Sequence, residues 1–373
     1  MMTSLSALTE ASSQALRTSV PGDPAFSPDR VAPPFVSVVV PCRNESRYIA
    51  RCLDSILAND FDPARLEILV VDGASDDGTR GVVAEYAARD SRVRLLDNPR
   101  RITPTALNIG IRAARGDVII RMDAHNAYPT TYVSSLVDWL VRSGADNVGG
   151  IWITRPAGDS SIQKAIAVGL SHPFGVGNSY FRIGSAEPRW VDNVPFGCYR
   201  RDVFERIGLF DEELVRNQDD ELNLRLVRDG GRILLVPSIV SHYSARGSLD
   251  KLARMNFQYG YFKPLVIRKI GAVMTVRQVV PATFVATLVA SAILAPLNAV
   301  AAAVFVAVAS LYLGASILVA AGAWRSVGFR PAAALVAVFP VIHVAYGVGF
   351  LGGVMNFLLR RRAVNALSVP ITR

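Results

Sequence analysis

Short aliphatic and β-branched runs alternate with segments of helical spacing in the first third of the chain. The apolar runs cover residues 36–40, 67–72, 93–96 and 118–122, and turn-forming residues bound them, as is typical of buried strands. Between them, residues 46–59, 79–88 and 104–115 have the apolar spacing or the length of helices. This alternation predicts an α/β fold with a mainly parallel sheet and right-handed crossovers.

The pattern becomes looser after residue 128. We expect a helix over residues 131–143, a strand near 147–153, a helix over 222–229 and a strand over 232–236. Residues 169–189 are rich in Gly, Ser and Pro, which predicts a surface loop preceded by a helix. Residues 249–270 form an amphipathic basic helix or pair of helices, a composition that suits a membrane surface.

Three long apolar segments follow, at residues 279–295, 299–323 and 332–359. Each reaches or approaches the ~20 residues that a helix needs to cross a bilayer. Because the segments are consecutive and nearly uncharged, membrane insertion explains them better than burial in a soluble core. Residues 1–34 contain no apolar stretch typical of a signal peptide, so we expect the globular part to stay in the cytosol, anchored to a bacterial-type inner membrane as a multi-pass protein.

The expected organisation has five parts. They are an N-terminal tail (1–34), a globular domain (35–248), amphipathic juxtamembrane helices (249–278), a transmembrane region of about three segments (279–360) and a basic C-terminal tail (361–373).

The basic residues near the C-terminus complicate the topology. Three crossings would place Arg360-Arg361-Arg362 outside, against the positive-inside tendency, whereas Arg325 and Arg330 would obey it. The alternatives are a fourth crossing or a re-entrant hairpin within residues 332–359, broken by Pro340, His343 and several glycines. Either would return the arginines to the cytosol.

The net charge of +9 does not indicate nucleic-acid binding. Basic residues cluster beside the apolar segments, at Lys263, Arg268, Lys269 and Arg277, where they would face anionic membrane lipids. No nucleic-acid-binding motif accompanies them, and the three cysteines have no metal-binding spacing.

Asp123-Ala124-His125 closes the fourth apolar run, where ligands collect in an open α/β sheet. Residues separated by one point to the same side of an extended chain, so Asp123 and His125 could together hold a divalent cation, which could hold a diphosphate. Mg²⁺ prefers oxygen ligands and Mn²⁺ also accepts imidazole, so the pair weakly favours Mn²⁺ over Mg²⁺.

Two further acidic groups are candidates for function. Asp72 ends the second apolar run, where it could contact a base or ribose or cap the following helix. Asp219 and Asp220 open the helix near residue 222, where acidic residues favourably meet the helix dipole. The alternative is that one of the two carboxylates is a general base.

Six motifs in order resemble family 2 glycosyltransferases, and within that family the membrane-anchored glucosyltransferases of succinoglycan-type exopolysaccharide assembly. They are Pro41-Cys42-Arg43-Asn44-Glu45, Val70-Val71-Asp72 with Asp77-Gly78-Thr79, Ala106-Leu107-Asn108-x-Gly110, Asp123-x-His125, the run from Gly197 to Asp211, and Asp219-x-x-Leu222-x-x-Arg225. The resemblance covers residues 36–244 and implies a Rossmann-like GT-A domain that transfers sugar from a nucleotide diphosphate with inversion.

The resemblance also implies residue roles. Asp72 would contact the uracil or ribose, and Pro41 and Glu45 would line the nucleotide pocket. Arg246 lies outside the matched motifs, in an expected flexible loop, where it is well placed to bind the diphosphate. The residues assigned to the nucleotide sugar are Pro41, Arg43, Glu45, Asp72, Asn108, Asp123 and Arg246.

Residues later in the chain would supply the metal ligands and the catalytic base. Asp123 would carry the metal, with His125 at the position where the family more often has a second Asp. Asp219 matches the position of the base, and Asp220 is its rival. His242 would complete the metal shell or orient the acceptor, although it could equally be a solvated loop residue.

Two departures refine the expected activity. Gly73 replaces the second Asp of the usual Asp-Asp pair, and the Gln-x-x-Arg-Trp signature of processive synthases is absent from the sequence. We therefore expect transfer of one sugar, glucose, from a UDP-sugar to a polyprenyl-diphosphate-linked saccharide at the cytoplasmic membrane face. The alternatives are a polyprenyl-phosphate monosaccharide synthase and an inactive nucleotide-sugar-binding membrane scaffold.

Overall fold

The computed structural model describes residues 33–273 and 275–360, which form two compact units. The sheet unit comprises residues 33–153 and 184–242, and the helical unit comprises residues 154–183 and 243–360. Residues 154–183, which the sequence analysis placed in the globular domain, thus group with the C-terminal helices.

Eight strands form a single mixed sheet. They are β1 (Val36–Cys42), β2 (Leu66–Asp72), β3 (Val93–Asp97), β4 (Val118–Arg121), β5 (Asn147–Arg155), β6 (Arg189–Val191), β7 (Cys198–Arg200) and β8 (Ile233–Ser244). The order is β3-β2-β1-β4-β7-β5-β8-β6. The first four strands pair in parallel, and β7 joins β4 and β5 antiparallel. The α/β fold expected from the sequence is confirmed.

Thirteen helices accompany the strands in the described residues. They are α1 (Ile49–Leu57), α2 (Thr79–Arg89), α3 (Thr103–Ala113), α4 (Tyr132–Ser143), α5 (Ser161–Gly169), α6 (Pro173–Val176), α7 (Tyr180–Ile183), α8 (Arg201–Ile207), α9 (Gln218–Arg228), α10 (Leu249–Ile270), α11 (Val280–Leu294), α12 (Ala299–Val327) and α13 (Phe329–Gly353). One further turn of π-helix continues α13 over Val354–Leu359.

The parallel strands β1, β2 and β4 are almost entirely buried, which explains their continuous apolar sequence. Every residue of β2 is buried, including Glu67. The Glu67 carboxylate accepts hydrogen bonds from Ser37 Oγ at 2.6 Å and from the Arg115 backbone N–H at 2.6 Å. A charged residue is tolerated in this core strand because its oxygens are satisfied.

The strand order reverses between β1 and β4. Strands β2 and β3 follow on one side of β1, whereas β4 pairs with its other side. In open α/β sheets, the crevice at such a switch point, at the carboxyl ends of the strands, is where ligands bind. The loops after β1 and β4 contain the Glu45 and Asp123-Ala124-His125 motifs.

Several local expectations were wrong. The polar run 218–221 belongs to α9 itself, so this helix begins four residues before the predicted start. Strand β8 continues to Ser244, so His242 lies in a strand rather than in a loop, and the backbone N–H of Ala245 donates to Arg155 O. The short elements β6, β7 and α8 were not predicted.

Residues 169–189 are not simply a surface loop. They contain α6 and α7, and Phe174 packs edge-on against Phe339 with ring centroids 4.9 Å apart. Gly169 and Leu170 are buried in a cluster that includes Leu335, Val338 and Phe339 of α13. The apolar residues of this segment therefore pack against the C-terminal helices. This packing cannot be recognised from a composition rich in Gly, Ser and Pro.

The re-entrant hairpin, one of the alternatives considered for residues 332–359, is not formed. Helix α13 is continuous from Phe329 to Gly353 with Pro340 inside it. Two helices in the described residues, Ala299–Val327 and Phe329–Leu359, are long and apolar enough to cross a membrane, and Val280–Leu294 is shorter. Gly347, Gly349 and Gly353 of α13 are instead points where other helices approach closely. A Cβ on Gly349 would lie 2.2 Å from Phe257 O.

Candidate active site

The loops after β1 and β2 are bonded to each other at the carboxyl edge of the sheet. Asn44 adopts a positive φ of 56°, and its backbone N–H donates to Ser75 Oγ at 2.8 Å. The next two backbone N–H groups donate to Thr79 Oγ1 and to Asp77 Oδ2. Asp77 is thus used by the turn, as the sequence suggested for the 76–79 segment, and the pairing fixes the Glu45 backbone.

Asp72 is enclosed at the base of this turn. Its side chain is fully buried, and its carboxylate accepts from the Ser75 backbone N–H at 3.1 Å and from Ser75 Oγ at 2.5 Å. The guanidinium of Arg80 lies 3.7 Å away. Asp72 therefore organises the loop that follows it and does not cap the next helix, whose N-cap residue is Gly78.

Pro41 and Arg43 flank the end of β1. Pro41 is half-buried opposite Val71 in the parallel register. The stem of Arg43 covers Gly73, where an added Cβ would lie 3.1 Å from Arg43 Cβ. A side chain at position 73 would therefore be in tight contact with the Arg43 stem.

The end of β4 presents Asp123 and His125. The backbone N–H of Asp123 donates to the buried Tyr128 hydroxyl at 2.7 Å, which holds the bend after the strand. His125 is about half exposed, and its Nδ1 lies 3.9 Å from Glu45 Oε1. Glu45 and His125, distant in sequence, are therefore neighbours across the β1–β4 switch point.

Asp219 and Asp220 share the first turn of α9 but differ in their surroundings. Asp220 is buried, and its carboxylate accepts from Asn193 Nδ2 at 3.2 Å. Asn193 in turn accepts from Asn223 Nδ2 at 2.5 Å. The Asp219 side chain is 38% exposed. Asp220 thus belongs to a buried amide network, whereas Asp219 is accessible to a substrate.

Arg225, the last member of the α9 motif, anchors this helix. Its guanidinium makes a two-point contact with Glu221, at 3.0 and 2.8 Å, and donates to Leu209 O at 2.8 Å. The planar guanidinium suits such paired contacts. The run from Gly197 to Asp211 and the α9 motif are therefore structurally connected, and together they orient the start of α9.

Arg121 links the two catalytic candidates and was not selected from the sequence. Its Nε and Nη2 lie 3.1 Å from Asp123 Oδ1, and its Nη1 lies 3.9 Å from Asp219 Oδ2. Burial alone would lower the pKa of Arg121, but the two carboxylates raise it above the usual range of a guanidinium. An arginine in an otherwise apolar strand, two residues before Asp123, was the available signal.

Asn108 lies away from this group. It is buried, its Nδ2 donates to Phe210 O and Glu212 Oε1 at 2.9 Å, and its Oδ1 accepts from the Phe210 backbone N–H at 2.9 Å. These bonds hold the 208–212 segment against α3. The assignment of Asn108 to the nucleotide sugar stays a prediction, and its contacts give it a structural explanation.

The predicted metal ligands are not collected into a ready site. No cluster of three His, Cys, Asp or Glu residues able to hold a metal occurs in residues 33–273 and 275–360, so Asp123, His125 and His242 do not form one. His242 belongs to the sheet unit and Arg246 to the helical unit. The Nε of Arg246 is buried and forms no hydrogen bond within the described part of the chain.

The residues present nevertheless fit a cation that is bound mainly by substrate. Asp123 Oδ1 is occupied by Arg121, which leaves the second carboxylate oxygen as a ligand, and the Asp123 side chain is partly exposed. Mg²⁺ and similar hard cations commonly take one or two carboxylates and complete their shell with phosphate oxygens and water. A single carboxylate assisted by a neighbouring imidazole suits that type of site.

Comparisons with known proteins identify the family and the fold. The glycosyl transferase family 2 model matches residues 37–208. The chain is 32% identical over 343 residues to succinoglycan biosynthesis protein ExoA of Rhizobium meliloti (strain 1021), covering 90% of this chain and 99% of that protein.

Two further proteins are similar over shorter or more divergent alignments. The dolichyl N-acetyl-alpha-D-glucosaminyl phosphate 3-beta-D-2,3-diacetamido-2,3-dideoxy-beta-D-glucuronosyltransferase of Methanococcus voltae is 32% identical over 244 residues, covering 63% of this chain and 74% of that protein. The structure of a Pyrobaculum calidifontis mannosyltransferase, solved with GDP-Man and Mn²⁺, superposes with a TM-score of 0.57 at 21% identity and covers 94% of this chain and 95% of that one. This last similarity concerns the fold. The chain belongs to glycosyltransferase family 2, and it is a glycosyltransferase with a GT-A-like α/β domain and apolar C-terminal helices.

Proposed function

We propose that the protein transfers a single sugar, glucose, from UDP-glucose to a polyprenyl-diphosphate-linked saccharide, with inversion at the anomeric carbon. The observation that carries the proposal is the pairing of Asp123 and Asp219 around Arg121 at the carboxyl edge of the sheet. Asp123 lies at the β1–β4 switch point, a position suited to binding a diphosphate. Asp219 lies in the first turn of α9, and its side chain is accessible.

Asp219 acts as the general base in this proposal. It takes the proton of the acceptor hydroxyl as the hydroxyl oxygen forms its bond to the anomeric carbon. The bond between that carbon and the diphosphate oxygen breaks, and the electron pair leaves with UDP. Attack from the face opposite the diphosphate converts an α-linked donor into a β-linked product without a covalent intermediate.

The remaining site residues bind and orient the donor. Pro41, Arg43 and Glu45 line the nucleotide pocket, Asp72 holds the turn beside them through Ser75, and Arg246 contacts the diphosphate. Asp123, with His125 beside it, would hold Mn²⁺ or Mg²⁺, which would supply positive charge to the leaving diphosphate. That the mannosyltransferase with a similar fold was solved with Mn²⁺ supports a divalent metal here.

The acceptor assignment follows from the C-terminal helices. Helix α12 is almost entirely unburied in the helical unit although it is apolar, so it requires an apolar solvent. We infer that the helical unit lies in the cytoplasmic membrane and confines the enzyme to the plane of a lipid-linked acceptor. The Methanococcus voltae relative, named for a dolichyl-linked sugar phosphate, supports this substrate class.

The test is a transfer assay with the full chain in detergent. Radiolabelled UDP-glucose and other UDP- and GDP-sugars are supplied with a polyprenyl-linked saccharide fraction and Mn²⁺ or Mg²⁺. We expect transfer from UDP-glucose, loss of turnover on chelation, and loss of turnover in Asp219→Ala. The proposal fails if no nucleotide sugar is consumed, or if Asp219→Ala turns over like the natural protein.

A polyprenyl-phosphate synthase would give a different result in the same assay. A phosphate acceptor is already anionic and needs no base, so Asp219→Ala would retain activity with polyprenyl phosphate. Nucleotide-sugar binding without any turnover would instead support an inactive scaffold.

A further inference from the structure

Arg121 has an environment unlike that of Arg200 and Arg201, two other enclosed arginines of the sheet unit. Arg200 and Arg201 donate to backbone carbonyls, Arg200 to Ala145 O at 2.9 Å and Arg201 to Ala114 O at 2.7 Å. Arg121 instead faces two side-chain carboxylates and is only 13% exposed. Its contacts therefore join functional candidates and do not tie one piece of backbone to another.

The three nitrogens of Arg121 are used unequally. Nε and Nη2 hold Asp123 Oδ1 at 3.1 Å, whereas Nη1 is buried, lies 3.9 Å from Asp219 Oδ2, and has no hydrogen-bond partner in the residues that the structure describes. The Phe196 ring lies 5.8 Å from the guanidinium carbon. Asp123 is thus held by direct contacts with Arg121, whereas Asp219 is attracted to it only electrostatically.

This inequality suits the two roles proposed for the carboxylates. A distance of 3.9 Å is too long for a hydrogen bond, so Asp219 keeps the lone pair that must accept a proton. The charge of Arg121 still attracts Asp219. Because Arg121 lies between the two carboxylates, its charge also offsets their mutual repulsion.

We propose that Arg121 is a positioning residue of the transfer reaction. It fixes the distance between Asp123, which serves the leaving diphosphate, and Asp219, which serves the acceptor hydroxyl. This inference rests on the proposed function, and it adds a third residue that acts through Asp219 rather than on the substrate.

A double-mutant cycle tests the proposal. Arg121→Met, Asp219→Asn and the double variant are compared in kcat with radiolabelled UDP-glucose and the polyprenyl-linked saccharide fraction. We expect each single substitution to lower kcat by about 100-fold or more. The double variant is expected to match Asp219→Asn within about threefold, because the loss of positioning costs nothing once the base is gone.

Controls separate this role from folding. Arg201→Met removes another enclosed guanidinium near the opposite end of β4, and we expect it to change kcat by less than about tenfold even if its melting temperature falls. Arg121→Lys keeps the charge but loses the paired contact with Asp123, so we expect an intermediate kcat at an unchanged melting temperature. If Arg121→Met does not fold, the kcat of Arg121→Lys tests the positioning role.

Two results would overturn the inference. One is a wild-type kcat in Arg121→Met or Arg121→Lys while Asp219→Asn is inactive. The other is a double variant whose loss of kcat equals the product of the losses in the two single variants. Full activity in Asp219→Asn would instead contradict the proposed function, so the two failures are distinguishable.

Discussion

At the scale of residues, Asp219 and Asp220 are adjacent carboxylates with opposite surroundings. Asp219 lies near Arg121 and is accessible, whereas Asp220 is buried and bonded to Asn193. We expect Asp219→Asn to lower kcat about 100- to 10,000-fold and Asp220→Asn to lower it less than tenfold. Initial rates, with melting temperatures for both variants, check this. An inactive Asp220→Asn beside an active Asp219→Asn would exchange their roles.

His125 gives a second residue-scale prediction. If it is a direct ligand, His125→Asp replaces imidazole by a carboxylate, so activity should persist and the preference should move from Mn²⁺ toward Mg²⁺. Turnover measured over a series of each metal after chelation decides it. An unchanged metal preference would exclude His125 as a direct ligand.

At the residue scale, the sequence places a motif on its element but does not determine the contacts of its side chains. The motif of α9 identifies both Asp219 and Asp220, but the choice between them depends on Asn193, which is distant in sequence and brings the buried amide network to Asp220. Asp72 illustrates the same limit. Its place at a strand end was correct, whereas its complete burial beneath Ser75 depends on how the turn folds back.

At the scale of elements, glycines determine how closely α10 and α13 pack. A Cβ on Gly349 would lie 2.2 Å from Phe257 O, whereas a Cβ on Gly314 of α12 would meet nothing within 4 Å. We expect Gly349→Ala to destabilise the helical unit by about 1–3 kcal/mol, because α10 must move away. Gly314→Ala, the matched control, should be neutral or slightly stabilising, since Ala is the better helix former. Thermal unfolding in detergent measures both, and equal shifts would contradict the close packing.

Element prediction was most accurate for long periodic segments. Helix α10 has the predicted bounds, residues 249–270, and the parallel strands begin within a residue of their expected positions. Strands β6 and β7 were missed because three residues carry no periodicity. They exist because longer neighbours provide their hydrogen bonds, as β4 does for β7.

At the scale of the whole molecule, the number of crossings decides where the C-terminus lies. Helices α12 and α13 are joined at Gly328, which has a φ of +85° and allows the sharp reversal. Helix α11 has 15 residues, about 22 Å, which is shorter than the ~30 Å hydrocarbon core. We therefore expect two crossings, with the C-terminus on the same side as the sheet unit.

A reporter fused after Arg373 tests this topology. A cytosol-active reporter should be active and a periplasm-active one inactive. This topology places Arg360-Arg361-Arg362 in the cytosol, in line with the positive-inside tendency, and Arg325 and Arg330 outside, against it. The same reporters fused after Asn298 serve as the control for α11. A periplasmic signal at both sites would mean three crossings, as first expected from the sequence.

The sequence by itself determined the α/β class, the family, the position of each motif at a strand or helix end, and the apolar character of the C-terminal helices. These follow from periodicity and local composition, which act over a few residues. Tertiary structure decided which side chains meet: Glu45 beside His125, Asn193 at Asp220, and Arg121 between Asp123 and Asp219. The reason is physical, because a contact across the β1–β4 switch point depends on strand order and register, and a linear pattern of polar and apolar residues specifies neither.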